Sequence, residues 1–257
     1  MSQGREPLPT HVRDLPALSE RYHVALAQGL DALGIELAPA ARGAIDDHVR
    51  LLLAWNAAIN LTAIRDPADL ALRHVVDSLT ALPWLRQHRI EAFLDLGSGG
   101  GYPGLPLAAA LPEADVTLVD ATAKKARFLG VVAQATGLAG RVSVLGERAE
   151  TIAHEPGRRG RWQVVTARAV APLPELVELA VPLLRPGGSL LAWKRGDLLA
   201  ELDAARRALD ALGGGSIDVL EVTVDGLDGH RLVVITASGS PRAAYPRDPA
   251  VRARRPW

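Results

Sequence analysis

The residues best suited to chemistry lie in FLDLGSGGGYPG (Phe93–Gly104), where five glycines and a proline follow an apolar run. Glycine lets a backbone turn tightly and approach a ligand with no Cβ in the way. Two acids belong to the same constellation, because Asp95 precedes the glycines and Asp120 ends the next apolar run, VTLVD. The Asp95 carboxylate at the end of the apolar run suits a ligand that carries positive charge, since it would repel a pyrophosphate.

Two interpretations of this loop compete. Counted from Gly99, GGGYPG satisfies the dinucleotide pattern G-x-G-x-x-G, which favours an NAD-dependent oxidoreductase, although Pro103 falls where the helix should begin. Counted from Asp95, DLGSGGG places glycines at alternate positions and resembles motif I of the class I S-adenosylmethionine-dependent methyltransferases. That resemblance implies S-adenosylmethionine as cofactor, with its cationic methionine end near Asp95 and its ribose hydroxyls on Asp120. An acid at Asp120 also suits a dinucleotide, so it does not decide between the two.

The elements that position these residues alternate between apolar runs and helical segments after about residue 88. The runs are AFLDL, DVTLVD, RVSVL, WQVVTA, GSLLAWK, SIDVLEVTV and RLVVITA. This alternation predicts an α/β fold with a mostly parallel seven-stranded sheet and helices on both faces. DGLDGH is too short for a helix, so the last two strands should form an antiparallel hairpin. Both this hairpin and the Pro-Gly-Gly turn before the fifth strand resemble the Rossmann-like class I methyltransferases.

The N-terminal third is predicted to be helical. Gly34 is suited to end a first helix, Pro39 to begin a second, and Asp66 followed by Pro67 to cap a third. We therefore divide the chain into a flexible leader (1–16), a helical N-terminal subdomain (17–88), the methyltransferase domain (89–240) and a basic irregular tail (241–257).

Composition excludes several classes. The chain has no cysteine, which excludes disulfides and cysteine-ligated metals, and its formal net charge is zero. No apolar run approaches the ~18 residues of a membrane span, and the polar N-terminus is no signal peptide, so we expect a cytoplasmic protein. Arginines cluster within 158–161 and in the tail, at Arg242, Arg247, Arg252, Arg254 and Arg255. Such clusters suit phosphate, although the charge pattern alone favours a solvated surface and a compositional bias toward arginine.

The segment WNAAINLTAIRDPADLALRHVVDSL resembles the N-terminal signature of the RsmG (GidB) family, the small-subunit ribosomal RNA guanine-N7 methyltransferases. FLDLGSGGGYPGLPLA, LVDATAKKARFL, TARAVAPL, AWKRG, GHRLVVI and YPRDPAVRARRP continue the match in order. The resemblance implies methyl transfer to N7 of a guanine in 16S RNA, with the RNA or a 30S-type particle as partner. The chain departs from the family at Gly100, often a proline there, and at Tyr102, often aliphatic.

The resemblance also implies site residues. Adenine is expected beside the residues after the third strand, and Arg168 ends the fourth strand, where it would hold the cofactor's carboxylate or a target phosphate. The implied cofactor contacts are Gly97, Tyr102, Ala149, Glu150 and Arg168, and the motif adds Asp95, Gly99 and Asp120. Because guanine N7 carries a lone pair and no proton, we expect no catalytic base, and we expect no metal.

Substrate contacts are predicted at Arg73, His74, Arg148 and Lys194. Arg73 and His74 share a helix face with Asp77, and this face would contact RNA or would join the helical segment to the sheet. Three other functions stay open: a methyltransferase of small molecules or proteins, which fits the neutral charge, an NAD-dependent oxidoreductase, and a non-catalytic RNA-binding module. The sequence gives no prediction of oligomeric state.

Overall fold

Seven strands form one sheet in the computed structural model, which describes residues 8–257. The strands are β1 (Ala92–Leu96), β2 (Asp115–Val119), β3 (Val142–Leu145), β4 (Trp162–Arg168), β5 (Leu184–Arg195), β6 (Gly215–Glu221) and β7 (His230–Ala237). Their order is β3-β2-β1-β4-β5-β7-β6, in which β1 to β5 run parallel and β7 is antiparallel to both its neighbours. The predicted fold class, including the terminal hairpin, is confirmed.

The strand order creates a crevice beside the central strand. From β1 the chain proceeds outward to β2 and β3, and then crosses back to place β4 on the other side of β1. In open α/β sheets the carboxyl ends of strands at such a switch point are the usual ligand site. The glycine loop follows β1 at this place.

The N-terminal helices agree with the local signals at three boundaries, which are the end of the first helix and the beginnings of the second and the third. They are α1 (Glu20–Ala32), α2 (Pro39–Ile59), α3 (Pro67–Asp69), a π-helix (Leu70–Val76), α4 (Asp77–Leu79) and α5 (Leu82–Gln87). Asp66 caps α3 by accepting from the backbone N–H groups of Ala68 and Asp69, and Gly34 follows α1 with φ +62°. The π-helix was not predicted, and its wider turns change which side chains share a face.

The remaining helices cover both faces of the sheet. They are α6 (Gly104–Ala110), α7 (Ala123–Ala135), α8 (Ala149–His154), α9 (Leu173–Ala180), α10 (Leu199–Ala211) and α11 (Pro249–Arg254), with a 3₁₀ turn at Val181–Leu183. On one face the N-terminal helices share a continuous core with α6, α7 and the sheet; for example, the ring centroids of Trp55 in α2 and Phe128 in α7 lie 5.5 Å apart. On the other face α8, α9 and α10 bury a second core. No helix within residues 8–257 is long and apolar enough to cross a membrane.

The described residues near both ends of the chain are held against neighbouring helices, which the sequence did not predict. Residues 1–7 of the predicted leader lie outside the described residues, but 8–16 are held to α2, where Arg50 donates to the carbonyl of Val12 and Trp55 to that of Pro9. The tail, expected to be irregular, contains α11 and returns to pack on α8 and α9 through ion pairs. The division into domains stays a prediction.

Candidate functional site

The glycine loop (Gly97–Gly101) adopts a backbone that only glycine adopts easily. Gly97, Gly99 and Gly101 have φ angles of +71°, +54° and +92°. A Cβ on Gly97 would lie 2.6 Å from a methyl of Val170, because the segment after β4 crosses close to the loop. The alternate glycines therefore serve both the left-handed turns and this close approach.

Asp95 lies beneath the loop and is completely buried. Its carboxylate accepts from the Thr166 hydroxyl at 2.8 Å and from the Gly104 N–H at 3.1 Å. Burial raises its pKa to about 6. The carboxylate therefore has no face open to the crevice and joins the start of the next helix to β4 beneath the loop, while the contact between Asp95 and the cofactor stays a prediction.

A cavity of about 310 Å³, here the first cavity, opens where β1, β2 and β3 end. Four acids line it, together with two arginines and a small apolar wall. Its lining residues are Leu96, Gly97, Val119, Asp120, Ala121, Glu147, Arg148, Ala149, Glu150, Val170, Ala171, Pro172, Glu175, Leu179 and Arg252. Of the predicted cofactor contacts, Gly97, Asp120, Ala149 and Glu150 therefore come together here.

Asp120, the acid predicted to accept from the ribose hydroxyls, lies in the wall of this cavity. One oxygen accepts from the Gly99 N–H at 3.0 Å and the other from the Thr122 N–H at 2.8 Å, which fixes the carboxylate at the cavity wall. Each carboxylate oxygen retains a second lone pair for a hydroxyl. Gly99 does not line the cavity, and its N–H contributes by holding the Asp120 carboxylate in place. With a carboxylate at Glu150 for an amine and no Cβ at Gly97, these residues fit an adenosyl group.

A second cavity of about 390 Å³ adjoins the first and shares Val170 and Ala171 with it. Its lining is basic and includes Arg73, His74, Arg168, Lys194, Arg195 and His230. The shared segment follows Ala169, whose φ of +56° is unusual for a residue with a Cβ. Arg168, predicted as a cofactor contact, lines this second cavity and not the first.

Arg168 is held by a buried carboxylate from the N-terminal helices. Asp77 accepts from Arg168 Nη1 at 2.8 Å and from His230 Nδ1 at 2.9 Å. Its backbone carbonyl accepts from the Trp193 indole at 2.7 Å. One residue thus joins the helical segment to β4, β5 and β7, as the packing interpretation of this helix face expects.

Tyr102 is a predicted cofactor contact that the structure places elsewhere. Its ring is stacked between His48 and His74, with both centroid distances 4.5 Å, and the Arg168 guanidinium lies 5.4 Å from its centroid. Burial lowers the pKa of His48 to about 4, and burial together with Arg168 lowers that of His74 to about 3, so both rings are neutral at physiological pH. The stack forms the contact between the N-terminal helices and the glycine loop.

The predicted substrate residues separate into two groups. Arg73, His74 and Lys194 line the second cavity, whereas Arg148 is exposed at the start of α8 and lines the first. Arg73 pairs with Asp69 at 3.2 Å and not with Asp77. Lys194 donates to Glu201 at 2.6 Å and to the Ala171 carbonyl at 3.1 Å. Within residues 8–257 no cluster of three acids or histidines could hold a metal ion.

Sequence reasoning missed several residues of these cavities. Glu175 lies in no motif, and Val170 and His230 lie in the family-like segments TARAVAPL and GHRLVVI, from which no role was predicted for either residue. Arg252 was grouped with arginines suited to phosphate, yet it pairs with Glu150 and Glu175, and Arg247 pairs with Glu178. The only signal for Arg252 is its place in the family-like tail motif, which names no partner.

The sequence is similar to known families over most of its length. Residues 42–225 match the family model GidB, described as rRNA small subunit methyltransferase G. The curated ribosomal RNA small subunit methyltransferase G of Roseiflexus sp. (strain RS-1) is 46% identical over 206 residues, covering 80% of this chain and 87% of that protein. The protein of that name from Chloroflexus aggregans is 43% identical over 232 residues, with coverages of 90% and 96%.

Solved structures share the fold at lower identity. The O-methyltransferase from Bacillus cereus in complex with SAH has a TM-score of 0.55 at 19% identity, covering 83% of this chain and 97% of that chain. A putative O-methyltransferase from Klebsiella pneumoniae has a TM-score of 0.53 at 17% identity, with coverages of 82% and 94%. These likenesses place the chain in the class I methyltransferase fold.

Proposed function

The chain belongs to the rRNA small subunit methyltransferase G family, and from this premise we propose that it transfers a methyl group from S-adenosylmethionine to N7 of a guanine in 16S ribosomal RNA. The observation that carries the proposal is the pair of adjoining cavities, one acidic and one basic, which share Val170 and Ala171. The family does not support the oxidoreductase alternative. A ribosomal substrate would place the activity in the cytoplasm.

The first cavity would hold the cofactor. When bound, S-adenosylmethionine supplies an electrophilic methyl group on a positively charged sulfur. Asp120 would accept from the ribose hydroxyls, Gly97 would admit the ligand against its backbone, and the Ala149 N–H and Glu150 carboxylate would meet the edge of the adenine ring. Each of these groups lines the cavity. Arg148 stands at its rim, where it would meet the cofactor or a backbone phosphate.

The second cavity would hold the guanine. Lys194 uses two of its three N–H donors on Glu201 and Ala171, and the third would serve the guanine O6 or a phosphate. Arg168, fixed by Asp77, would orient the base or its phosphate at the shared wall. Arg73 and Arg195 are exposed at the mouth and suited to the RNA backbone.

Methyl transfer to guanine N7 requires alignment of the base with the methyl group and no proton transfer. N7 has an in-plane lone pair and no proton to lose, so the residues around it need to hold the base in line and exclude water. The ring gains positive charge as the bond forms, and acceptors placed beside it would stabilise that charge. Arg168 donates through Nη1 to Asp77 and to the Arg73 carbonyl, which holds its guanidinium in one direction at the cavity wall and suits this role.

The test is methyl transfer from labelled S-adenosylmethionine to unmethylated small-subunit particles and to protein-free 16S RNA. Mass spectrometry of the digested product should show 7-methylguanosine at one site, and RNA from cells without the protein should lack it. Comparison of the two rates decides whether the RNA or the assembled particle is the better substrate. Label that enters only proteins or small molecules would refute the assignment.

RNA affinity provides a second test with a matched pair of arginines. Arg195→Gln, at the mouth of the second cavity, should weaken RNA binding and lower the slope of log K against log salt by about 1, because one phosphate contact is lost. Arg206→Gln, exposed on α10, should change neither quantity. Equal behaviour of the two variants would exclude the mouth of the second cavity as the RNA site.

A further inference from the structure

The last eleven residues of the chain are anchored to the back of the first cavity. Glu178 of α9 is completely buried and accepts from Arg247 Nη2 at 2.6 Å and from the Trp257 indole at 2.7 Å. Burial alone would raise the pKa of Glu178, but the hydrogen bonds from Arg247 and Trp257 outweigh it and the pKa falls. A charge held this firmly fixes the segment, which we call the strap (residues 247–257).

The chain just before the strap is anchored independently. Arg159 donates to the backbone carbonyls of Pro241, Arg242 and Tyr245, at distances of 2.7 to 3.0 Å. His154 at the end of α8 contacts the Pro246 carbonyl at 3.0 Å. The strap is thus anchored before its first residue and at Trp257, and between these anchors it packs on α8 and α9.

This path brings Arg252 into the wall of the first cavity. Its Nη2 donates to Glu150 at 2.5 Å, its Nε to Glu175 at 3.2 Å, and its Nη1 to the Arg247 carbonyl at 2.6 Å. The Arg252 side chain is 9% exposed and that of Glu150 is 18% exposed. All three guanidinium nitrogens are thus engaged, and two of them hold carboxylates of the cavity.

The two carboxylates need such a partner. Glu150 belongs to α8 and Glu175 to α9, and both line one cavity that also contains Asp120 and Glu147. Like charges in one partly buried site repel each other, and a shared guanidinium both offsets the repulsion and fixes each carboxylate in direction. Arg148, the other cation of the lining, is exposed. Arg252 is therefore the cation that determines where the Glu150 carboxylate points.

We propose that Arg252 is a positioning residue of the cofactor site, which orients Glu150 toward the amine of the adenine ring, and that the strap is the outer wall of that site. The inference rests on the proposed function, since it takes the adenosyl group as the ligand of the first cavity. It assigns the C-terminal basic segment to cofactor recognition and not to phosphate binding.

The experiment measures cofactor binding without RNA, by calorimetry of the full chain with S-adenosylhomocysteine and with S-inosylhomocysteine. The inosyl compound presents an oxygen where adenine presents its amine, so a fixed Glu150 should reject it. Arg252→Gln should raise the Kd for the adenosyl compound about tenfold, as loss of a charged hydrogen bond does. It should also lower the ratio of the two Kd values several-fold, which a general loosening of the fold would not do.

Two further variants control the measurement. Arg254→Gln removes an equal charge from an exposed position of the same helix and should leave both Kd values unchanged. Arg252→Lys keeps the charge but lacks the fork that reaches two carboxylates, so its values should lie between wild type and Arg252→Gln. If Arg252→Gln does not fold, as judged by its thermal transition, Arg252→Lys against Arg254→Gln carries the test.

The outcomes separate this inference from the proposed function. Unchanged Kd values and an unchanged ratio in Arg252→Gln and Arg252→Lys, with normal binding by wild type, would overturn the inference alone. Tighter binding by Arg252→Gln would also overturn it, because Arg252 would then compete with the cofactor. Wild type that binds the adenosyl compound but methylates no RNA would refute the proposed substrate and leave the inference standing. Wild type that binds neither compound would refute both.

Discussion

Replacing Asp77 with asparagine should both destabilise the protein and reduce methyl transfer. The Asp77 side chain is 4% exposed and accepts from two donors, Arg168 Nη1 and His230 Nδ1. An asparagine side chain has the same shape but offers one acceptor oxygen, and its amide would oppose the second donor. The variant therefore removes the counter-charge of Arg168 and leaves a donor without a partner in a largely buried site.

The expected cost follows from the burial of the pair. Removing one partner of a buried ion pair costs about 3–5 kcal/mol, and the lower end applies because Arg168 retains 14% exposure. We therefore expect the free energy of unfolding to fall by about 3 kcal/mol. With an m-value of about 3 kcal/mol/M, this moves the urea midpoint down by about 1 M. Methyl transfer should fall further, because Arg168 loses its orientation in the second cavity.

Urea unfolding followed by circular dichroism, with methyl transfer measured on the same preparations, tests this reasoning. Asp69→Asn is the matched control, because Asp69 likewise pairs with an arginine, Arg73, but the side chains of this pair are both about half exposed. It should cost no more than about 0.5 kcal/mol. Midpoints that fall equally in the two variants, or an Asp77→Asn midpoint equal to wild type, would show that the Asp77 network does not join the helices to the sheet.

Three further predictions concern the loop, its acid and the second cavity. Gly104→Ala should lower the free energy of unfolding by about 2 kcal/mol in urea, because its Cβ would lie 2.6 Å from an Asp95 oxygen. Gly100→Ala is the control: its Cβ would first meet a flexible leucine methyl at 3.0 Å, so it should cost less than half of that. Burial raises the pKa of Asp95 from 3.8 to about 6, so the folded state holds a proton that the unfolded state releases, and the free energy of unfolding should fall by about 3 kcal/mol as pH rises from about 4 to 6. The difference in unfolding free energy between wild type and Asp95→Asn, measured across that range, should change by this amount, and a constant difference would contradict the buried position of the carboxylate. Lys194→Met should slow single-turnover methyl transfer about tenfold and leave the Kd for S-adenosylhomocysteine unchanged, since Lys194 lines only the second cavity, and a weakened cofactor Kd would argue against two separate cavities.

The sequence by itself determined the features whose causes are local. The strand, glycine turn and helix around Gly97 follow one another within a dozen residues, and the left-handed φ angles there require the glycines that the motif shows. Helix ends at Gly34 and Asp66 depend on neighbours within four residues. The alternation of strands and helices fixed a mostly parallel sheet, because chain direction and connection length leave few other topologies.

Only the tertiary structure decided where the charged side chains point. Asp95 was expected to face the cofactor, yet its partner Thr166 lies 71 positions away and turns it inward. Arg252 was grouped with arginines suited to phosphate, but Glu150, 102 positions away, holds it in the cavity wall. Such pairings depend on which surfaces meet when distant segments pack, and no local pattern records that. The glycine loop could be located from its own residues, whereas the groups that surround its ligand are chosen by contacts made across the whole fold.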